Sequence, residues 1–409
     1  MLKDDCLYIV KEAIARVLPD EAVKRALGGR EFPDGRLILV SVGKAAWSMA
    51  SAAHSVLGTR IDRGIVITKH GYSKGAIGDL SVREAGHPVP DADTFSATRE
   101  ALELTRGLAP EDTVLFLLSG GGSALFEAPV IPEDELRDIT GQLLACGADI
   151  VEMNTVRKRL SGVKGGRFAR HCAPARVFTV VLSDIIGDPL DMIASGPAYP
   201  DASTCADAVR IAEKYALHLS DAAWAALKTE TPKTLSNTET HITGSVRELC
   251  AAAAGACREL GYEPQVLTDC LDCEAREAGR FLASIARSHQ NAGRSIAFIA
   301  GGETVVHITG RGRGGRNQEL ALAAADGIAG LEDTAVFSVG SDGTDGPTDA
   351  AGGYADGGSL AALRALGFDT CDVLRRNDSY TALKAVDSLI FTGSTGTNVN
   401  DVAVILIKR

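Results

Sequence analysis

The chain has no run of about 18 consecutive apolar residues, the length a bilayer-crossing helix needs, so no membrane span is expected. The N-terminal MLKDDCLYIVKEAI carries acids and helical periodicity instead of a basic stretch followed by an apolar one. It does not read as a secretory signal, and a cytoplasmic location is expected. Its nine cysteines are scattered; the one CxxC, Cys270 to Cys273, lacks a second pair at zinc spacing. Neither a zinc ribbon nor a disulfide framework follows, and the thiols are expected to be reduced. GxxxxGK[ST] is absent, so there is no Walker A loop. GxSxG is absent as well, and no neighbouring Ser and Asp make a hydrolase triad with His87, which reads as a structural hydrogen-bonder in AGHPVPDA. Positive charge is in deficit, 42 Lys and Arg against 53 Asp and Glu, which argues against nucleic acid or an anionic membrane as partner. There is no low-complexity tract and no repeat of fixed period.

Glycine is abundant, 44 of 409 residues, and clusters at the ends of apolar runs. Glycine there lets backbone approach a ligand closely. The basic residues cluster too. RKRLSGVKGGRFAR, Arg157 to Arg170, and RGRGGR, Arg311 to Arg316, contain no acid. Basic residues interleaved with glycine suggest recognition of a small anion; solvated charged loops are the plainer reading.

Apolar runs alternate with helical patterns. RLILVSVG, RGIVITK, SVREAGHPVPD, DTVLFLLSGGG and RVFTVVLSD read as strands, with KAAWSMASAAHSVL and ADTFSATREALELTRGL as helices between them. Such alternation predicts a parallel sheet covered by helices on both faces. A second series starts near residue 240, with strands expected in EPQVLTD, SIAFIAGGET, TVVHITG, TAVFSVGSDG, SLIFTGST and DVAVILIK. The polar, Thr-rich stretch between Thr229 and Gly244 is the expected boundary, giving domains over 1–235 and 236–409.

LLSGGGSALF ends the longest apolar strand. Ligands of parallel sheets sit beyond the carboxyl ends of strands. Ser119, Gly120, Gly121, Gly122 and Ser123 therefore have the make-up of a phosphate cradle, aided by the N-terminus of the next helix. Lys44 follows another strand and a glycine at a helix start, where a cation makes sense if it faces an anion. Gly310, Gly312 and Gly315 match GxGxxG, a dinucleotide fingerprint, but Arg311, Arg313 and Arg316 crowd that loop. The alternative is a loop presenting Arg316 to a phosphoryl group, which a planar guanidinium suits. Asp184, Asp188 and Asp191 end one strand, and Asp342, Asp345 and Asp349 another. Asp184, Asp188 and Asp342 are candidate Mg²⁺ ligands, with Asx turns as the competing reading.

In order, GKAAWSMA, EAGHPVPDA, LLSGGGSALF, NTVRKRLSGVKGGRFA, VLSDIIGDPLDMIASGPAYPD, GGETVVHITGRGRGGRNQEL, GSDGTDGPTDAAGG and TGSTGTNVNDVAVIL together resemble the class II glycerate kinases, the MOFRL-domain family. The resemblance implies a Rossmann-like α/β N-terminal domain with a parallel sheet, a smaller C-terminal α/β domain, and an active site in the cleft between them. It implies transfer from ATP to D-glycerate, giving 2-phosphoglycerate, with a divalent metal, Mg²⁺. Lys44 and Arg316 carry over as catalytic residues. Ser119 to Ser123 and Lys164 become candidates for holding ATP, and Arg157, Glu303 and Asn317 for holding substrate. A homodimer is compatible with this reading. Some relatives carry a hydroxypyruvate reductase label, so an NAD(P)H-dependent reductase remains the rival.

Overall fold

The computed structural model describes residues 2–409, which divide into two units. The central unit is Pro19–Thr243; the terminal unit joins the residues up to Leu18 to Gly244–Arg409.

In the central unit the apolar runs become strands, four of them buried along most of their length and the two edge strands only in part. They are β1 (Leu37–Val42), β2 (Arg63–Lys69), β3 (Ser81–Ala85), β4 (Thr113–Leu118), β5 (Arg176–Leu182) and β6 (Thr238–Gly244). The sheet order is β3-β2-β1-β4-β5-β6, and the pairs from β3 to β5 are parallel. That is the Rossmann order, in which the chain reverses direction of build between β1 and β4. Cores lie on both faces, one around Phe116, Phe126 and Phe168, the other around Met49, Leu115 and Phe178. The carboxyl ends of β1 and β4 are therefore neighbours, and so are the loops that leave them.

The terminal unit holds β7 (Glu263–Leu271), β8 (Ile296–Gly302), β9 (Thr334–Gly340), β10 (Gly352–Asp356), β11 (Leu389–Ile390) and β12 (Asp401–Ile407). Their order is β11-β10-β9-β12-β8-β7. β12 is antiparallel to both β8 and β9, whereas β7 and β8 are parallel. This sheet is mixed.

Two expectations need correction. TVVHITG is not a strand; Val305 forms only an isolated bridge to Glu274. The domain boundary also differs from 1–235 and 236–409. The helix Leu2–Arg16 belongs with the C-terminal residues, because its buried face (Cys6, Ile9, Val10, Ala13) shares one core with Leu249, Ala253 and Cys257. Asp5 fixes it further, accepting from Tyr262 Oη at 2.6 Å and from Lys408 Nζ at 2.7 Å.

Candidate active site

The site of the central unit is built where β1 and β4 end. Gly43, with φ 124°, turns the chain out of β1. A Cβ there would fall 2.2 Å from Ser119 Oγ, so only glycine fits. Lys44 N–H donates to Gly120 O at 2.9 Å, and Ala45 N–H donates to Ser119 Oγ at 3.1 Å. The two loops are thus bonded together, and Lys44 has one backbone position against the triple glycine.

Each glycine of that run admits a neighbour. A Cβ on Gly120 would lie 2.1 Å from Asp184 Oδ2. On Gly121, with φ 87°, it would lie 3.0 Å from His87 Cδ2 and 3.3 Å from Lys44 Cε. On Gly122 it would lie 2.7 Å from Ala194 Cβ. Lys44, His87 and Asp184 therefore converge on backbone that carries no side chain. Burial, and then the charges of Lys44 and Lys69, hold His87 below the ordinary histidine pKa. Such an imidazole is neutral at pH 7. Ser123 Oγ is 3.0 Å from Ser195 Oγ, which donates to Asn154 Oδ1 at 2.8 Å. The helix after the glycines, Gly122–Leu125, is only four residues long. Its dipole is too short to supply the electrostatic help expected of it.

Arg157 and Lys164 part company. Arg157 lies on the helix Ile150–Arg159, started by a capping box in which Asp149 accepts from Glu152 N–H at 2.8 Å. Its Nη2 donates to Ser123 O at 3.1 Å, at the edge of the glycine loop. Lys164 is completely buried behind it, 2.7 Å from Glu127 and donating to Phe126 O at 2.8 Å. Burial pulls its pKa down to about 8, against the pull of Glu127. Placed so, Lys164 has its ammonium taken by Glu127 and by Phe126 O, behind the loop.

The metal candidates are divided between the two units. Asp342 Oδ1 accepts from Thr344 N–H at 3.0 Å, an Asx turn, and it lies in the other unit from Asp184 and Asp188. Asp184 overlies Gly120, and Asp188 Oδ1 is buried without a hydrogen-bond partner. Those two carboxylates fit Mg²⁺, which takes one or two protein oxygens and completes its shell with water and phosphate. Among the described residues, the three-residue cluster at ligand spacing is His70, Asp91 and Asp93, where His70 Nε2 already meets Asp91 at 2.8 Å.

The terminal unit carries a second array. Arg316 opens the helix Arg316–Gly327. Asp401, first residue of β12, takes its Nε at 2.5 Å and its Nη2 at 3.0 Å; Glu303 takes Nη1 at 2.7 Å. Asn400 Nδ2 donates to Glu303 at 3.1 Å. Asn317 is held by Ser338, whose Oγ donates to its Oδ1 at 2.5 Å, while Asp345 accepts its backbone N–H at 3.1 Å. Burial, only partly opposed by Arg316, pushes Asp401 up to about 6. Burial likewise raises Asp345. Glu303 and Asn317 thus gather around Arg316 as a set. Asp401 was not among the sequence candidates; its one signal is an acid opening an otherwise apolar strand.

The GxGxxG match dissolves. A Cβ on Gly310 would meet Arg376 O at 2.2 Å, on Gly312 Asp378 Cβ at 2.5 Å, and on Gly315 Asp345 Cγ at 2.3 Å. Gly310 N–H donates to Asn377 Oδ1 at 2.9 Å and Gly312 N–H to Arg376 O at 2.8 Å. These glycines pack on the chain's own turn, and no strand leads into them as a pyrophosphate site requires.

Residues 5–228 match the family described as Domain of unknown function (DUF4147), and residues 296–401 match the MOFRL family. The chain is 52% identical to the D-glycerate 2-kinase of Thermotoga maritima, over 99% of this chain and 98% of that one. The chain belongs to the glycerate 2-kinase family. The crystal structure of the Thermotoga maritima glycerate kinase superposes with a TM-score of 0.96, covering 99% of both chains. A protein of Agrobacterium vitis named as a hydroxypyruvate reductase is 40% identical over 98% of this chain and 93% of its own. The family is one of enzymes, and both of its matched regions, with both arrays of candidate residues, are present here. No helix among the described residues is long and apolar enough to cross a membrane.

Proposed function

We propose that this chain transfers the γ-phosphoryl group of ATP to the C2 hydroxyl of D-glycerate, giving 2-phosphoglycerate and ADP. The observation that carries the reading is the convergence of Lys44, His87 and Asp184 on the side-chain-free backbone of Gly120 and Gly121. Phosphoryl transfer asks a protein mainly for positioning and for charge to match charge. Backbone N–H groups of Ser119 to Ser123 bind phosphate oxygens. Lys44 neutralises the moving group. Arg316, held in one orientation by Asp401 and Glu303, is the second cation. Arg157 orients the substrate carboxylate. Neutral His87 accepts the proton that leaves the C2 hydroxyl. Asp184 and Asp188 would hold a divalent cation, which would offset phosphate charge. Exclusion of water by the residues lining the cradle protects ATP from hydrolysis. The enzyme's expected partners are thus a small hydroxy acid and a nucleotide, and a cytoplasmic homodimer is part of the proposal.

The reductase reading is tested alongside. With hydroxypyruvate and NADH or NADPH the absorbance at 340 nm is expected to stay constant, while D-glycerate and ATP yield ADP. Oxidation of nicotinamide without ADP formation would reverse the assignment.

A further inference from the structure

The basic stretch from Arg157 to Arg170 is divided by the fold. Arg157 faces Ser123, Lys158 bonds Asp191 and Asp201 at 3.1 Å, and Lys164 pairs with Glu127. Arg159, Arg167 and Arg170 have another neighbour in common. With His171 they line one pocket of about 570 Å³ in the central unit, with Val130 and Ala225 on its apolar wall. Its volume is that of a small-molecule site, about 300–1,000 Å³.

The pocket is built and electrostatically incomplete. Arg159 is fully buried, and its Nε–H has no acceptor. Its terminal nitrogens are taken by Thr155 O, Ser203, Asp201 and Glu230, and neither carboxylate lines the pocket. Arg167 is buried and bonds backbone oxygens of Arg159 and Ser161. Neither Arg167 nor Arg170 makes an ion pair among the described residues. Burial, and then the like charges of Arg170 and Arg159, lower the pKa of Arg167. Three guanidinium groups are thus kept close with no carboxylate among the lining residues. Guanidinium forks match phosphate oxygens, and an anion removes the mutual repulsion.

We infer that this pocket binds a small phosphate-bearing metabolite at a site separate from the glycine loop. The phosphate meets Arg167 and Arg170, and the rest of the ligand lies along Val130 and Ala225.

Calorimetric titration with inorganic pyrophosphate tests this on the full chain, wild type against Arg170→Ala and Ala225→Glu. Both substitutions are at exposed positions, so both variants are expected to fold and to turn over glycerate within about twofold of wild type. The wild-type isotherm is expected to contain one saturable equivalent that weakens at least about tenfold in both variants, as loss of one charge-assisted contact does. If every saturable equivalent is unchanged in both variants, or wild type shows no saturable binding, the inference is overturned.

Discussion

Asp401 grips Arg316 with both carboxylate oxygens, at 2.5 and 3.0 Å, and does so from the first residue of a buried strand. The fork-on-fork contact fixes the guanidinium plane. Its strength depends on the charge of Asp401, whose pKa stands near 6 in place of 3.8. Between about pH 4 and 6 the folded chain therefore holds a proton that the unfolded chain has lost. By linkage this residue makes folding less favourable as pH rises through that window, and adds no further change above it. Activity is expected to move the other way. It should rise through an apparent pKa near 6 as the brace on Arg316 ionises. In Asp401→Asn both dependences should vanish, leaving a lower kcat and only the acid limb of His87, which titrates below its ordinary value. A pH–rate profile and a pH series of melting temperatures on the two proteins check this; an unshifted limb in the variant removes Asp401 from the account.

Lys44→Ala should lower kcat by about 10²–10³, as expected for one oriented electrostatic donor, with little change in melting temperature. An unchanged kcat would take Lys44 out of the mechanism.

Gly120→Ala places a methyl group 2.1 Å from Asp184 Oδ2 and should cost at least about tenfold in kcat/KM, since misplacement by an ångström costs that much or more. Gly141 lies inside the helix Glu133–Ala145 with open space around it. Gly141→Ala is expected to keep full activity and to gain about 0.5–1 kcal/mol of stability. Equal behaviour of the two variants contradicts the cradle.

Lys164→Met leaves Glu127 buried without its ion pair and should destabilise the fold by about 3–5 kcal/mol in denaturant unfolding. Adding Glu127→Leu should restore most of that loss. If the double variant is as unstable as the single, the pair is not what Lys164 supports.

Much of the central unit was legible in the sequence because its physics is local. Runs such as LILVSV and TVLFLL are buried end to end, and their alternation with helical patterns gave the parallel sheet. The glycine loop was legible for the same reason: three glycines at a strand end exceed what a turn needs. What failed was non-local. Gly310, Gly312 and Gly315 have fingerprint spacing, but it is the turn from Arg376 to Asp378, more than 60 residues on, together with Asp345 that requires them. The helix Leu2–Arg16 shows its apolar face in sequence but not which core that face joins. Asp401 acquires its meaning only from Arg316, 85 residues earlier. Nothing in AGHPVPDA reveals that His87, read there as a structural hydrogen-bonder, lies against Gly121.

The most direct test of the proposed reaction is a coupled assay with D-glycerate, ATP and Mg²⁺, supplemented with enolase but no phosphoglycerate mutase. Enolase consumes 2-phosphoglycerate alone, so phosphoenolpyruvate should accumulate in step with ADP. ADP without phosphoenolpyruvate would place the phosphoryl group on the other hydroxyl or on water, and would contradict transfer to C2.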